Sequence, residues 1–152
     1  MDLAKVKGLR NLGNSCFMNS ALQCLTHIKP LVKIILSDAG QPQAGDHLIY
    51  NLFREHLKAY YGSGNESYSP NGLFRNMNKI NSRMVPGRQH DAHEFALGIL
   101  GPVEDHFKKS KQIKIFEQIF GGKVVSQITC STCKHISNSY ETMVSLSLVL
   151  AF

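Results

Sequence analysis

Residues 8–20 read Gly-Leu-Arg-Asn-Leu-Gly-Asn-Ser-Cys-Phe-Met-Asn-Ser, and this stretch joins a polar loop to the start of an amphipathic helix. Apolar residues recur at helical spacing over residues 17–28 and predict one buried stripe. Asn14 and Ser15 are residue types that favour the N-cap position, which places Cys16 in the first turn. Unpaired backbone N–H groups and the positive end of the helix dipole favour a thiolate at that position.

The loop before Cys16 carries the groups that acyl transfer from a carbonyl requires. Gly13 leaves room for a substrate backbone, and Asn11 offers an amide donor five residues before the sulfur. A free cysteine is more often a small buried hydrophobe than a nucleophile. Because this loop is polar and glycine-rich, we interpret Cys16 as a nucleophile. Cys24, further along the same helix, is instead expected to be a packing thiol.

The composition is that of one soluble globular domain, with 152 residues, 43% of them hydrophobic and 18% charged. The first seven residues contain no apolar run, so no signal peptide is expected. Residues 143–152 are apolar but too short and too interrupted by serine to span a bilayer, so we expect no membrane association. The four cysteines are then expected to be reduced thiols, in the cytoplasm, the nucleus or both.

The formal net charge of +6 raises the question of nucleic-acid binding. The basic residues are scattered, however, and only Lys108, Lys109, Lys111 and Lys114 form a loose cluster. Such residues are usually solvated surface, so a nucleic-acid partner is not expected.

Apolar periodicity predicts further helices before residue 110. One covers residues 31–36, and a second is capped by Asp46 and continues through Tyr61. A third opens with Ser69 as N-cap and Pro70 in the first turn.

A fourth helix begins within residues 88–95, Arg-Gln-His-Asp-Ala-His-Glu-Phe. Asp91 and Glu94 are three positions apart and project from one face near its positive end. A purely structural role, as first-turn acids that stabilise the helix dipole, is the alternative. Because Pro102 removes a helical hydrogen bond and clashes with the preceding turn, we expect a break or kink near Leu100 and a restart of the helix through Phe107.

From Ile113 onward the apolar pattern favours strands. Between two of them, Cys130-Ser131-Thr132-Cys133 forms a Cys-x-x-Cys turn that can present two thiolates to one Zn²⁺. A tetrahedral site needs four ligands, so this is half a site. His135 is close in sequence, but a lone histidine is more often a surface residue.

Three stretches of this sequence resemble segments of one known protein family, and they follow one another in the same order as in that family. The segment G-L-R-N-L-G-N-S-C-F-M-N-S-A-L-Q resembles the cysteine box of the ubiquitin-specific proteases, which are papain-like deubiquitinases. Residues 88–95 resemble the family's second box, and G-G-K-V-V-S-Q-I-T-C-S-T-C with the following strands resembles the start of its fingers region. The implied fold class is α+β, papain-like. A helical thumb would cover about residues 8–110, and the first antiparallel strands of the fingers and palm about 113–152. The whole chain, 1–152, would be a partial catalytic domain.

The resemblance also implies roles for individual residues. Cys16 would be the nucleophile and Asn11 the oxyanion donor, while Asp91, Glu94 and Gln89 would bind the C-terminal tail of ubiquitin. Cys130 and Cys133 would be two ligands of a structural zinc, and catalysis would need no cofactor. The implied partners are ubiquitin and ubiquitinated proteins.

The family's histidine and Asp/Asn boxes are not found in these residues, which leaves alternatives open. None of the seven histidines lies in a sequence like the histidine box, so none is expected to be the base. One alternative is a catalytically inactive, truncated relative that keeps part of the ubiquitin-contacting surface. Another is a basic zinc module that binds nucleic acid.

Overall fold

The structure is a computed structural model, and it describes residues 6–37, 48–64, 67–143 and 145. These residues form a helical body followed by a β-hairpin. In chain order the elements are β1 (Gly8–Leu9), α1 (Cys16–Thr26), α2 (Lys29–Leu36), α3 (Leu48–Tyr61), β2 (Ser67–Tyr68), α4 (Asn71–Arg75), α5 (Met77–Ile80), α6 (Ala92–Lys109), α7 (Ile113–Phe120), β3 (Gly122–Thr129) and β4 (Ile136–Met143).

The core lies among α1, α3 and α6, because α6 packs against both other helices. Leu22, Phe53, Phe95 and Phe107 have no exposed surface. Burying a side chain of this size contributes about 1.5–3 kcal/mol, so these residues fix how the three helices meet.

Helix α1 begins at Cys16, as the sequence predicts, and its inner face buries Phe17, Ala21, Leu22 and Leu25. Ser15 occupies the N-cap, but its side chain makes no capping hydrogen bond. Its hydroxyl instead accepts from Leu12 N at 2.9 Å and donates to Asn11 Oδ1 at 3.1 Å. The Ser15 hydroxyl therefore organises the loop before the helix.

The predicted helices on either side of residue 40 are confirmed as α2 and α3. The expected Asp46 cap lies outside the described residues. The prediction for Ser69 and Pro70 is wrong in detail, because Pro70 is the N-cap and the helix begins at Asn71. The segment is also divided into α4 and α5 at Asn76, whose side-chain Nδ2 donates to Gly72 O at 2.8 Å.

Of the break or kink expected near Leu100, the break is wrong, since α6 runs without interruption from Ala92 to Lys109 with Pro102 inside it. The kink stays a prediction. The buried positions Phe95, Ile99, Val103 and Phe107 continue on both sides of the proline. Their burial outweighs the ~3 kcal/mol that a proline costs inside a helix.

Residues 113–120 form helix α7, so the expectation of strands from Ile113 is wrong there. Phe116 is buried and contacts Phe107 of α6, with ring centroids 6.2 Å apart. Ile113, Phe116 and Phe120 are three and four positions apart, which is helical spacing. Aromatic contact across the two helices therefore decides the conformation of this segment.

In the segment after residue 112 the first strand begins at Gly122, where β3 pairs with β4 in an antiparallel hairpin with Gly122 opposite Met143 and Thr129 opposite Ile136. The predicted Cys-x-x-Cys turn joins these strands. The apolar pattern that favours strands from Ile113 onward also includes Val144, Leu146 and Leu148, and these positions lie outside the described residues. None of the helices in the described parts of the chain is long and apolar enough to cross a bilayer.

Candidate active site

Cys16 is exposed and is the first residue of α1. Two residues with positive φ turn the chain into the helix, Gly13 at 99° and Asn14 at 48°. Glycine adopts this conformation freely, and asparagine tolerates it better than most residues. The Asn14 Nδ2 group donates to Gly87 O at 2.9 Å, a contact between residues 73 positions apart.

The hydrogen bonds of Asn11 fix the orientation of its side-chain amide. Oδ1 accepts from Gly13 N at 3.0 Å, from Ser15 N at 3.2 Å and from the Ser15 hydroxyl at 3.1 Å. Backbone N–H groups can only donate, so the atom that faces them must be the oxygen. The Nδ2 group of Asn11 therefore faces away from these loop groups, and the side chain is exposed. Nδ2 is the donor that the predicted role of Asn11 as oxyanion donor requires.

Asp91 is the N-cap of α6, and its Oδ1 accepts from Glu94 N at 2.8 Å. Asp91 thus stabilises the first turn of α6, which is the structural alternative that the sequence left open. A carboxylate has a second oxygen, so this hydrogen bond leaves Asp91 with further acceptor capacity. Glu94 and Gln89 are exposed on the same end of the helix.

A pair of rings brings the two sequence boxes together. The rings of Phe17 and His90 meet edge to face with centroids 5.3 Å apart, and Phe17 also meets Phe95 at 5.9 Å. Phe17 follows Cys16 directly, and His90 directly precedes Asp91. The predicted nucleophile and a predicted substrate-binding acid are therefore each one residue from a shared aromatic contact.

The histidines of the described chain have other surroundings. His56 and His106 are buried, while His27, His93 and His135 are exposed and His90 is half-buried. No hydrogen bond joins a histidine to the Cys16 sulfur in the part of the chain that the structure describes. That none of them is the base stays a prediction.

The sequence did not single out His90, and it marked Asn14 only as an N-cap candidate, whereas in the structure both residues contact the loop that precedes α6. His90 Nε2 accepts from Val85 N at 2.9 Å. Val85 and Gly87 belong to a loop far from Cys16 in sequence, and local spacing carries no signal for such contacts.

Cys130 and Cys133 lie on the turn between β3 and β4, and both thiols are exposed. Cys130 N donates to His135 O at 2.9 Å, and Lys134, with φ at 59°, donates its N–H to Cys130 O at 3.0 Å. Hydrogen bonds from the backbone N–H groups of Cys133 and Thr132 hold the pKa of the Cys130 thiol below its ordinary value.

Within the described residues no three metal-ligating side chains come together. The Cys-x-x-Cys turn thus carries two exposed thiols, and their role as zinc ligands stays a prediction.

All four cysteines are free thiols. The expectation that Cys24 is a packing residue is wrong, because its side chain is exposed on the outer face of α1. Cys24 falls outside the buried face of α1, which consists of Phe17, Met18, Ala21, Leu22, Leu25 and Thr26.

Two further features lie away from the predicted site. A pocket of about 400 Å³ that is open to solvent on one side lies between α6, α7 and the hairpin, with Phe116 and Met143 among its lining residues. Within the basic cluster, Lys108 Nζ pairs with Glu104 at 2.8 Å and Asp105 at 3.8 Å. This pairing reduces the local positive charge.

A protein-family model described as ubiquitin carboxyl-terminal hydrolase matches residues 7–147. The chain belongs to the ubiquitin carboxyl-terminal hydrolase family. It is 35% identical over 158 residues to "Probable ubiquitin carboxyl-terminal hydrolase 16" of Schizosaccharomyces pombe, an alignment that covers 93% of this chain and 34% of the relative. It is 30% identical over 152 residues to "Ubiquitin carboxyl-terminal hydrolase 23" of Arabidopsis thaliana, which covers 93% of this chain and 18% of the relative.

Among solved structures, the chain is similar to the SAGA DUB module containing Ubp8, Sgf11, Sus1 and Sgf73 bound to monoubiquitin. The TM-score is 0.68 at 24% identity, over 95% of this chain and 36% of the other. The predicted family and the papain-like α+β fold class are thereby confirmed. The chain spans about a third of the length of the fission-yeast hydrolase, and the roles of individual residues stay predictions.

Proposed function

We propose that this chain is the nucleophile-bearing part of a cysteine-type deubiquitinase, which hydrolyses the bond after the C-terminal glycine of ubiquitin. The observation that carries the proposal is the exposed thiol of Cys16 at the first residue of α1, inside a region that matches the hydrolase family. Its partners would be ubiquitin and ubiquitinated proteins.

The chemistry assigns one step to each group. The Cys16 sulfur attacks the carbonyl carbon of the terminal glycine, and the carbonyl oxygen becomes an oxyanion that accepts a hydrogen bond from Asn11 Nδ2. A histidine base takes the thiol proton and returns it to the leaving amine, and water then hydrolyses the thioester. The base and its orienting Asp or Asn would come from outside the described residues.

Asp91, Glu94 and Gln89 would bind the tail of the substrate. Ionised carboxylates pair with a cationic side chain on an extended peptide through charge-assisted hydrogen bonds. The exposed position of all three side chains at the N-terminal end of α6 supports this role. The aromatic contact between Phe17 and His90 keeps that end near Cys16.

The test is covalent labelling by a ubiquitin probe whose C-terminus is an electrophile, using the full-length protein. Cys16→Ser is expected to abolish labelling because it removes the nucleophile. Cys24→Ser is the matched control, since Cys24 is another exposed thiol on the same helix. Labelling that survives Cys16→Ser but is lost in Cys24→Ser would contradict the proposal.

A second candidate function is ubiquitin binding without catalysis. It is the alternative that the sequence left open, because the family's histidine and Asp/Asn boxes are not found in these residues. It predicts that ubiquitin binds with a measurable Kd while the probe leaves Cys16 unmodified. Rapid labelling of Cys16 would rule it out.

A structural zinc is part of the proposal, with Cys130 and Cys133 as two of its four ligands. Thiolates bind Zn²⁺, so a metal site is suited by two exposed thiols on one turn and by the lowered pKa of Cys130. The metal would hold the fingers together and would take no part in the reaction. Replacing both cysteines with serine is expected to release the zinc of the purified full-length protein, measured by atomic absorption.

A cytoplasmic or nuclear location completes the proposal. The reaction needs a reduced Cys16, and free exposed thiols persist where glutathione and thioredoxin keep them reduced. Microscopy of the tagged full-length protein is expected to find it in one or both compartments.

A further inference from the structure

Two contacts bracket Cys16, one on each side in sequence. Two residues before it, Asn14 Nδ2 donates to Gly87 O at 2.9 Å. One residue after it, the ring of Phe17 meets the ring of His90 with centroids 5.3 Å apart. Both partners belong to residues 85–90, hereafter the 85–90 loop, which leads directly into Asp91.

The 85–90 loop is closed upon itself by its own hydrogen bonds. Arg88 N donates to Val85 O at 3.3 Å, and Val85 N donates to His90 Nε2 at 2.9 Å. Gly87 has φ at 84°, so this turn suits a glycine. His90 therefore acts twice, because its nitrogen closes the loop and its ring packs on Phe17.

Asn14 also acts twice. Its backbone has φ at 48°, which directs the chain into α1, and its side chain reaches the loop. A non-glycine residue in this conformation persists when its surroundings hold it there. The bond to Gly87 is one such restraint, because it ties the strained residue to a segment 73 positions away.

We propose that Asn14 and His90 are positioning residues, which fix the position of the Cys16 thiol relative to the tail-binding carboxylate of Asp91. We name the pair of contacts, from Asn14 to Gly87 and from Phe17 to His90, the clamp. The inference rests on the proposed function, because its consequence is felt only by a substrate that binds Asp91 and reacts at Cys16. A displacement of about 1 Å between two such groups costs up to ~10²-fold in rate.

The clamp predicts different effects on large and small reagents. A ubiquitin probe must align its tail with Asp91 and its electrophile with Cys16 at the same time. Iodoacetamide reacts with the thiol and needs no alignment. Loss of the clamp is therefore expected to slow the ubiquitin probe roughly tenfold and to change the iodoacetamide rate by less than about twofold.

The test uses Asn14→Gly and His90→Ala in the full-length protein, with Cys24→Ser as background. Because Cys130 and Cys133 are also exposed thiols, labelling is read by mass spectrometry of the peptide that contains Cys16. Asn14→Gly keeps the backbone free to adopt positive φ and removes only the side-chain donor. Asn76→Ala is the matched control. It removes the same kind of hydrogen bond, from Nδ2 to Gly72 O, away from the site.

The expected result is slow ubiquitin labelling in both clamp variants and the parent rate in Asn76→Ala. Because both residues hold one loop, the double variant is expected to lose less than the product of the two single losses. An unchanged probe rate in both single variants overturns the clamp, as does an equal loss of rate with iodoacetamide.

Amide hydrogen exchange of the 85–90 loop separates this inference from the proposed function. If the parent protein takes no ubiquitin label, the proposed function fails, and exchange still decides whether the clamp exists. Exchange of the loop that is severalfold faster in Asn14→Gly and His90→Ala supports the clamp. Unchanged exchange in both variants overturns it.

Discussion

Asn11 has a side-chain amide whose two ends are used for different purposes. Its oxygen accepts three hydrogen bonds within the loop before α1, two from backbone N–H groups and one from the Ser15 hydroxyl. These bonds turn the amino group away from the loop groups. A residue predicted to donate to an oxyanion thus also shapes the loop that leads to Cys16, and a simple alanine variant would mix both effects.

Asn11→Asp separates the two effects. The aspartate keeps an oxygen for Gly13 and Ser15 but has no amino group to donate, so the oxyanion loses its partner. Loss of one such donor typically lowers the rate about 10²–10³-fold. We expect this loss in ubiquitin hydrolysis by the full-length protein, with a midpoint of thermal unfolding close to that of the parent.

Asn11→Ala is the comparison, because it removes the loop contacts as well as the donor. It is expected to lower both the rate and the midpoint of unfolding. If Asn11→Asp retained the parent rate, the role of Asn11 as oxyanion donor would be wrong.

Single residues were predictable from sequence where their role depends on near neighbours. Cys16 at a helix start and Glu94 as a first-turn acid of α6 follow from patterns of a few residues, and both positions are as predicted. Asp91 lies just before the first turn, as the N-cap of α6. Asn14 and His90 act through partners on a separate loop or helix. Such partners become neighbours only when the chain folds, so no local pattern marks them.

Within α6, Gly101 and Pro102 form a pair in which the first residue makes the second tolerable. A proline ring clashes with the Cβ of the residue before it when that residue is helical. Gly101 has no Cβ, and a Cβ added there would meet no non-neighbouring heavy atom within 4 Å. The sequence-based expectation of a break counted the proline and overlooked this relief by its neighbour.

A double-mutant cycle tests this pairing. In a Pro102→Ala background, Gly101→Ala is expected to raise the free energy of unfolding by roughly 0.5–1 kcal/mol, because alanine is the better helix former. In the parent background the added methyl meets the proline ring, and the gain is expected to disappear or reverse. Urea unfolding monitored by circular dichroism measures all four proteins. An equal gain in both backgrounds would show that the two residues act independently.

The prediction of strands over residues 113–120 is wrong for a different reason, which is not local in sequence. Residues 113–120 contain isoleucine and phenylalanine, which favour strands by propensity, yet the contact between Phe116 and Phe107 holds them as α7. Tertiary packing overrode local preference. The β3–β4 hairpin was predictable because its alternating strands and its turn are consecutive in sequence.

At the scale of the whole molecule, α1 and α3 are joined by buried polar contacts as well as by apolar packing. His56 Nε2 lies 3.1 Å from the Thr26 hydroxyl, and the Tyr61 hydroxyl donates to Thr26 O at 2.6 Å. Desolvation by burial lowers the pKa of His56 from 6.5 to about 4. The helix that carries Cys16 is therefore anchored at its far end by a histidine that the fold keeps neutral.

This anchor predicts that the protein loses stability in mild acid. Above pH 6.5 His56 is neutral in both the folded and the unfolded chain, so it has no effect on pH dependence. As the pH falls from 6.5 towards 4, the unfolded chain binds a proton that the folded chain excludes, and stability declines. From the pKa of about 4, the loss between pH 7 and pH 4 amounts to ~3 kcal/mol; below the folded pKa this histidine causes little further loss.

His56→Gln isolates this contribution, because glutamine does not titrate and still offers an amide to Thr26. The decline in free energy of unfolding between pH 7 and pH 4 is expected to be ~3 kcal/mol smaller in this variant than in the parent. His93→Gln is the control, since His93 is exposed and its loss should leave the decline in place. Urea titrations at closely spaced pH values give the comparison. The same decline in His56→Gln as in the parent would mean that His56 is not the group whose protonation weakens the link between α1 and α3.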